Sequence, residues 1–204
     1  TRPWSLIYPN GNLAAVVAEV PSGSSADVLS ADIDVPVSRA RVTATSFGTS
    51  SNTTFWVADR NAAIQVFLGL PDATPPPFDV AVGQEIAFTA TRVTWFNGRP
   101  QITLATDMDL LDEGLQVAVD DSGRPIDASD VNTMRMVTGT LSRIIGSCGT
   151  STCFDLRYGS NTITLRTRST LAEAGGCMTF VGPVLLFDGA PQLDTVNFDW
   201  SWFY

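Results

Sequence analysis

The chain has 204 residues, 44% hydrophobic and only 16% charged, enough apolar material for one or two packed cores and too little charge for a disordered chain. Its 12 basic residues face 21 acidic ones, and the net charge of -9 repels a polyanion, so nucleic acid is disfavoured as a partner. His and Lys are both absent, which excludes histidine-dependent nucleophiles, imidazole-held metals and haem, Schiff bases and P-loops. No cofactor and no metal site are implied, and the chain is expected not to be an enzyme.

Helical periodicity is scarce, while runs of period two rich in Val, Ile, Thr, Phe and Trp recur between Gly, Pro, Asn and Asp, so the fold class expected is all-β. Residues 1–34 form an N-terminal segment. It opens on Thr1 without Met, as if a leader had been removed, and its apolar stretch Leu13 to Val20 is broken by Glu19 and too short for a membrane span of about 20 residues. Strands follow over Val35 to Ser46, Thr53 to Asp59 and Ala62 to Leu70. Pro75, Pro76 and Pro77 mark a stiff connection. The turn Val82 to Glu85 leads into Ile86 to Trp95, and Asn97-Gly98 is a strong hairpin signal before Gln101 to Ala105.

The same order recurs after an acidic linker, residues 111–132. Arg135 to Ile145 is a long strand, Phe154 to Tyr158 and Thr162 to Thr167 are the next two, and Thr170 to Ala174 is expected to be a short helical connection capped by Thr170. Cys177 to Phe187 carries a fourth strand, Asp188-Gly189 turns the chain, and Gln192 to Phe198 closes the repeat. Between Cys148 and Cys153 lies Gly-Thr-Ser-Thr, a run that lets the chain reverse, so these two are expected to form a disulfide with Cys177 left as a thiol. A disulfide points to an oxidising, extracytoplasmic compartment. Asn52-Thr53-Thr54 is a glycosylation sequon.

In each half these segments resemble an OB-fold, the five-stranded Greek-key barrel. The first half is similar to the version found beside secreted bacterial nucleases and in exported lipoproteins, through Val42-Thr43-Ala44-Thr45, Phe55-Trp56-Val57-Ala58-Asp59, Ala63-Ile64-Gln65-Val66-Phe67, Val82-Gly83-Gln84-Glu85-Ile86 and Phe96-Asn97-Gly98-Arg99-Pro100-Gln101-Ile102. The second half keeps the outline in Val137 to Leu141, Phe154 to Leu156, Ile163 to Leu165 and Asp188 to Leu193. The resemblance implies two tandem OB-like five-stranded barrels, residues 35–110 and 133–204, acting as accessory modules.

OB-folds bind ligands across strands 2 and 3 and the loops between strands 1 and 2 and strands 4 and 5. On the first barrel that surface would carry Trp56, Arg92, Trp95, Phe96 and Arg99, rings and guanidinium groups able to stack on a sugar or base. The carboxylates at Asp107, Asp109, Asp112, Glu113, Asp120, Asp121, Asp127 and Asp130 fit no calcium loop and read as solvated charge. Free ends are normally polar, yet Trp4, Ile7 and Tyr8 at the front and Trp200, Trp202, Phe203 and Tyr204 at the back are apolar or aromatic. These ends either pack on their own barrels or add strands to a neighbouring subunit. The expected function is therefore a non-catalytic extracytoplasmic binding or protein-assembly module, its partner a protein, a second copy of the chain or an oligosaccharide. The alternative is a structural subunit or coat protein of an extracellular filament, joined through those termini.

Overall fold

In a computed structural model, which describes residues 8–46, 52–143 and 148–196 and the backbone of 201–203, the chain divides into a unit ending at Ala118 and a unit beginning at Val119. The first contains α1 (Leu13–Ala18), β1 (Val28–Thr45), β2 (Thr54–Ala58), β3 (Ala63–Phe67), β4 (Glu85–Phe96) and β5 (Arg99–Asp112). Its strands close into a barrel in the order β1-β2-β3-β5-β4. Every pairing is antiparallel except β3 with β5, where Gln65 faces Gln101 and Val66 faces Ile102. Alternation sends Val42, Phe55, Val57, Ile64, Val66, Val93 and Ile102 inward to one core. Two register shifts in the β1–β4 ladder, at Asp32/Val35 and Val37/Ala40, let the long strands curve.

The segment ahead of β1 adds to this core. The helix α1 buries Leu13 and Val16, one turn apart, and Asp59 ties its start to the β2–β3 turn. Asp59 is buried and accepts from the backbone N–H of Gly11, Leu13, Asn61 and Ala62, so its charge is matched by four oriented dipoles. Tyr8 is equally buried: its hydroxyl donates to the Ala118 carbonyl at 3.1 Å and accepts from the Ala118 N–H at 3.0 Å. Nearby, the buried Arg41 pairs with Glu85 at 2.9 Å and donates to the Gln116 carbonyl. Both ends of the unit are thereby fastened to its barrel.

The second unit contains β6 (Met134–Arg143), β7 (Thr152–Tyr158), β8 (Asn161–Thr167), β9 (Cys177–Pro183), β10 (Leu185–Phe187), β11 (Ala190–Asp194) and β12 (Ser201–Phe203). The sheet runs β10-β11-β8-β7-β6-β9-β12. Its two flanks share one fourth strand, because β9 and β10 are consecutive and separated only by Val184, whose N–H donates to the Thr133 carbonyl. β9 pairs with β6 while β10 pairs with β11, and β8 with β11 is again the parallel pairing. The chain is all-β with two OB-like units. The connection at 170–174 is not helical: turns replace the expected helix, with the Ser169 N–H on the Thr167 hydroxyl and the Leu171 N–H on the Ser169 hydroxyl. Gly175 and Gly176 end the stretch before a helical nucleus could propagate.

The expected reading of solvated charge fails for part of the acidic run. Asp120 and Asp130 hold Arg135, which is fully buried, each at 3.3 Å, and both also pair with Arg124. The short 3-10 turn Ala128–Asp130 is fixed by a reciprocal cap between Asp127 and Asp130. Burial opposes ionisation of Asp120, but the Ser122 hydroxyl and N–H, with Arg135 and Arg124, hold its carboxyl below the usual range.

Two outcomes follow. Replacing Asp130 by Ala strips Arg135 of one of its two carboxylates inside the protein and should cost about 3 kcal/mol in urea unfolding, against about 1 kcal/mol for Asp127→Ala, which removes a cap. Burial pushes the Tyr8 phenol from 10.0 up to about 12, so the folded form keeps a proton that the unfolded form releases. Stability is whole below pH 10 and falls as pH climbs toward 12, by about 2–3 kcal/mol; Tyr8→Phe should flatten that slope in denaturation curves.

Candidate functional site

Each unit ends its fourth strand in a two-residue hairpin, and the two hairpins share a construction. Between β4 and β5, Asn97 and Gly98 take φ of 50° and 83°; between β10 and β11, Asp188 and Gly189 take 52° and 75°. Positive φ at both positions is the tight turn that matches strand twist, which Asn, Asp and Gly tolerate best. In both cases the residue before the turn is an exposed phenylalanine beneath a guanidinium. Arg99 lies 5.9 Å from the Phe96 ring centre and Arg166 lies 6.0 Å from that of Phe187, within cation–π range. Phe187 is the more open ring, 57% exposed against 36% for Phe96.

The strand 2–3 faces of the two units differ. In the first, Phe55, Val57, Ile64 and Val66 point to the core, so Trp56 and Gln65 point outward, yet both are buried, as are Gln101, Thr94 and Thr103. These polar groups bond to one another: Gln101 Nε2 donates to Gln65 Oε1 at 2.7 Å and the Thr94 and Thr103 hydroxyls are 2.8 Å apart. In the second unit, Phe154, Leu156, Ile163 and Leu165 form the core, and the outward positions Asp155, Arg157, Thr162, Thr164 and Arg166 all retain exposure. Arg157 stands opposite Thr140 and Thr162 and has no charged partner among the described residues. Arg143, at the end of β6, is exposed but stands opposite the core residue Phe154, on the other parity from Arg157. Arg166 is held loosely by Asp194 at 3.6 Å, and Arg168 donates to the Thr150 hydroxyl at 2.8 Å.

The proposed ligand residues therefore part company. Trp56 is fully buried and offers no ring to a ligand, which corrects its assignment. Arg92 is spent on Asp32 and Asp72, both at 2.9 Å. Those carboxylates, by hydrogen bonding, hold its guanidinium still more firmly protonated. Trp95 is half-buried and donates to the Ser24 carbonyl, while Phe96 and Arg99 do meet, in the hairpin. Among the residues expected to serve assembly, Tyr8 is buried inside its own unit, and the backbone of Trp202 and Phe203 pairs with Thr179 and Met178 of the same chain. Trp4, Ile7, Trp200 and Tyr204 lie outside the described residues. Cys148 and Cys153 form a disulfide and Cys177 is a half-buried thiol. The Asn52 amide donates to Asp79 and accepts from the Val80 N–H.

Arg157, Arg166, Arg168 and Phe187 were not anticipated as a site. The alternation in Asp155-Leu156-Arg157 and Leu165-Arg166-Thr167-Arg168 already placed the arginines opposite core residues, and Phe187-Asp188-Gly189 repeats the Phe96-Asn97-Gly98 pattern.

No protein-family profile and no curated protein matches the chain. Among solved structures, one described as a murine DNA-binding protein bound with double-stranded DNA is similar at 11% identity and a TM-score of 0.41, covering 83% of this chain and 94% of that one. The Ifi202 HINa domain in complex with a 20-base-pair duplex is similar at 14% identity and 0.38, covering 87% and 98%. A tetrameric p202 HIN2 follows at 13% and 0.36, covering 90% and 97%. The OB-like architecture stands, but the narrower resemblance to accessory domains of bacterial nucleases and lipoproteins is not supported.

The functional expectation is corrected too. Two of these similar structures are complexes with double-stranded DNA, against an extracytoplasmic, secreted binding or assembly module for which nucleic acid was disfavoured and a protein, a second copy or an oligosaccharide was the partner. The filament or coat-subunit alternative falls with it, since Tyr8 and the strand at 201–203 are engaged within the chain.

The contrast between the two faces is testable by stability alone. Trp56→Ala should cost about 3–5 kcal/mol in urea unfolding, as for a buried aromatic, whereas Phe187→Ala should stay within about 1 kcal/mol, as for an exposed one.

Proposed function

We propose that the chain is a non-catalytic nucleic-acid-binding protein that takes unpaired bases and their backbone on the outward β7–β8 face of the second unit. The observation that carries this reading is the Arg166–Phe187 pair beside the open Arg157. A ring with one face under a guanidinium and the other solvated is a platform on which a base stacks whatever its identity. Arg157 and Arg168 border the platform as phosphate donors, and guanidinium groups fit phosphate oxygens in a two-pronged way that no other side chain does.

Charge supports the same surface once it is counted locally. The face and its hairpin bring three arginines, at 157, 166 and 168, against three carboxylates, Asp155, Asp188 and Asp194, so the patch is balanced on a chain of net charge -9. Most acidic groups of the chain are elsewhere, and several are already neutralised by Arg41, Arg92, Arg124 and Arg135. A field that repels a polyanion at long range is screened beyond about 10 Å at ordinary salt, so contact-range arginines decide the outcome.

The measurement is fluorescence anisotropy with a labelled single-stranded oligonucleotide, repeated with the matching duplex across a salt series. Two or three phosphate contacts should give a slope of about -1.5 to -2 in log affinity against log salt. Phe187→Ala should weaken binding about tenfold, the loss of one stacked base. Arg157→Ala should weaken it and make the slope shallower by about one contact. Binding that is salt-independent, or indifferent to both substitutions, would refute the reading.

A further inference from the structure

The Cys148–Cys153 disulfide lies at the margin of this face. Cys153 belongs to β7, on the same outward side as Asp155 and Arg157, and its register partner on β8 is Arg166, the arginine over Phe187. The turn that the disulfide closes contains Thr150, which receives the Arg168 guanidinium at 2.8 Å. Within the turn the Ser151 N–H reaches the Cys148 carbonyl at 3.2 Å, and Gly149 has a φ of 64°. Gly149, Thr150 and Thr152 are exposed and both cysteines are half-buried, so a small thiol can approach. One covalent link thus fixes the acceptor that aims Arg168 and anchors the strand position beside Arg166.

We infer that this disulfide controls the affinity of the β7–β8 face, an inference resting on the binding role proposed above. Oxidised, the link holds Thr150 in place, so Arg168 is fixed along the border and little freedom is lost when a phosphate docks. Reduced, the turn is free, Arg168 loses its fixed acceptor, and the same contact must be ordered at the moment of binding. The conversion needs a dithiol. One thiolate of the reductant attacks a sulfur to give a mixed disulfide, and its second thiol displaces the protein sulfur. Cys148 and Cys153 end as two thiols, having gained two electrons and two protons, while the reductant becomes its own disulfide. Cys177 takes no part: it lies on β9 with its sulfur 3.9 Å from the Thr140 hydroxyl.

The test compares the full chain carrying Cys177→Ser, oxidised and then reduced with dithiothreitol, by anisotropy with the same single-stranded oligonucleotide. Circular dichroism and a thermal scan of each state read the fold independently. Reduction should weaken binding about tenfold, the scale of one charge-assisted contact, and reoxidation should restore it. Cys148→Ser with Cys153→Ser should match the reduced form. Arg168→Ala, with its disulfide intact, should bind as weakly as the reduced protein and no longer respond to dithiothreitol, which separates loss of the aimed arginine from general loosening. Equal affinity in the two redox states, or tighter binding by the reduced one, overturns the latch; if Phe187→Ala and Arg157→Ala still weaken binding, the binding role survives without it. An oligonucleotide bound by neither state removes both.

Discussion

In each unit one short parallel pairing joins the third strand to the last strand of the OB-like repeat, and most other features follow from where it falls. Strand 3 can run beside strand 5 in the same direction only if the chain between them travels back along the barrel, so strand 4 and its connection must intervene. In the first unit that return takes residues 68–84, and in the second residues 168–176, before the fourth strand begins. Parallel pairing also brings the start of strand 5, and with it the hairpin from strand 4, to the end where strands 2 and 3 turn. Phe96 and Phe187 therefore stand at the rim of their own strand 2–3 surface because of topology. A substitution that loosened Gln65 from Gln101, or Thr164 from Gln192, would displace a hairpin whose own sequence was untouched.

The same closure explains why the strands were legible and the covering of them was not. Period-two alternation located β2, β3, β7 and β8 closely because apolar core residues recur at every second position, and the hairpins announced themselves through Asn97-Gly98 and Asp188-Gly189. The first part of β1 was missed because Asp32 and Asp34 look like turn residues. They point away from a side on which Ala31, Ile33 and Val35 pack against the core. β5 likewise runs on to Asp112 through Asp107, whose φ of 53° marks a bulge that keeps the strand paired. The helix α1 is six residues long, too short to show a period. Buried partners such as Asp130 for Arg135 read as surface charge, because sequence spacing does not disclose which carboxylates are desolvated.

The site itself shows a sharper limit of the same kind. Alternation correctly placed Trp56 on the outer side of its strand and gave it a ligand role, but parity states only which side a residue faces, not what lies over that side. In the first unit the outer side is buried and its amides and hydroxyls bond to each other, so the aromatic ring that looked most like a binding group is structural. In the second unit the corresponding side carries no tryptophan, and its cations were hidden among threonines. Of the rings anticipated, Phe96 does sit on its hairpin under Arg99, which made the counterpart at Phe187 recognisable once the two turns could be compared.

A net charge of -9 built without lysine has a further consequence, because every cation in the chain is a planar, weakly hydrated guanidinium. Such a group can be buried against carboxylates, as Arg41 and Arg135 are. It can bridge acids at the surface, as Arg92 does, or lie flat on a ring, as Arg99 and Arg166 do. A lysine in the last position would keep its hydration shell and leave the phenylalanine bare. The excess of carboxylates then acts as selection among these uses: arginines near an acid are consumed by it, whereas Arg157 stands where the neighbouring strands offer Thr140 and Thr162 in place of aspartates. Total charge thus governs how a polyanion is received at a distance, whereas the residues alternating with Leu156 and Leu165 govern whether it can be held at contact.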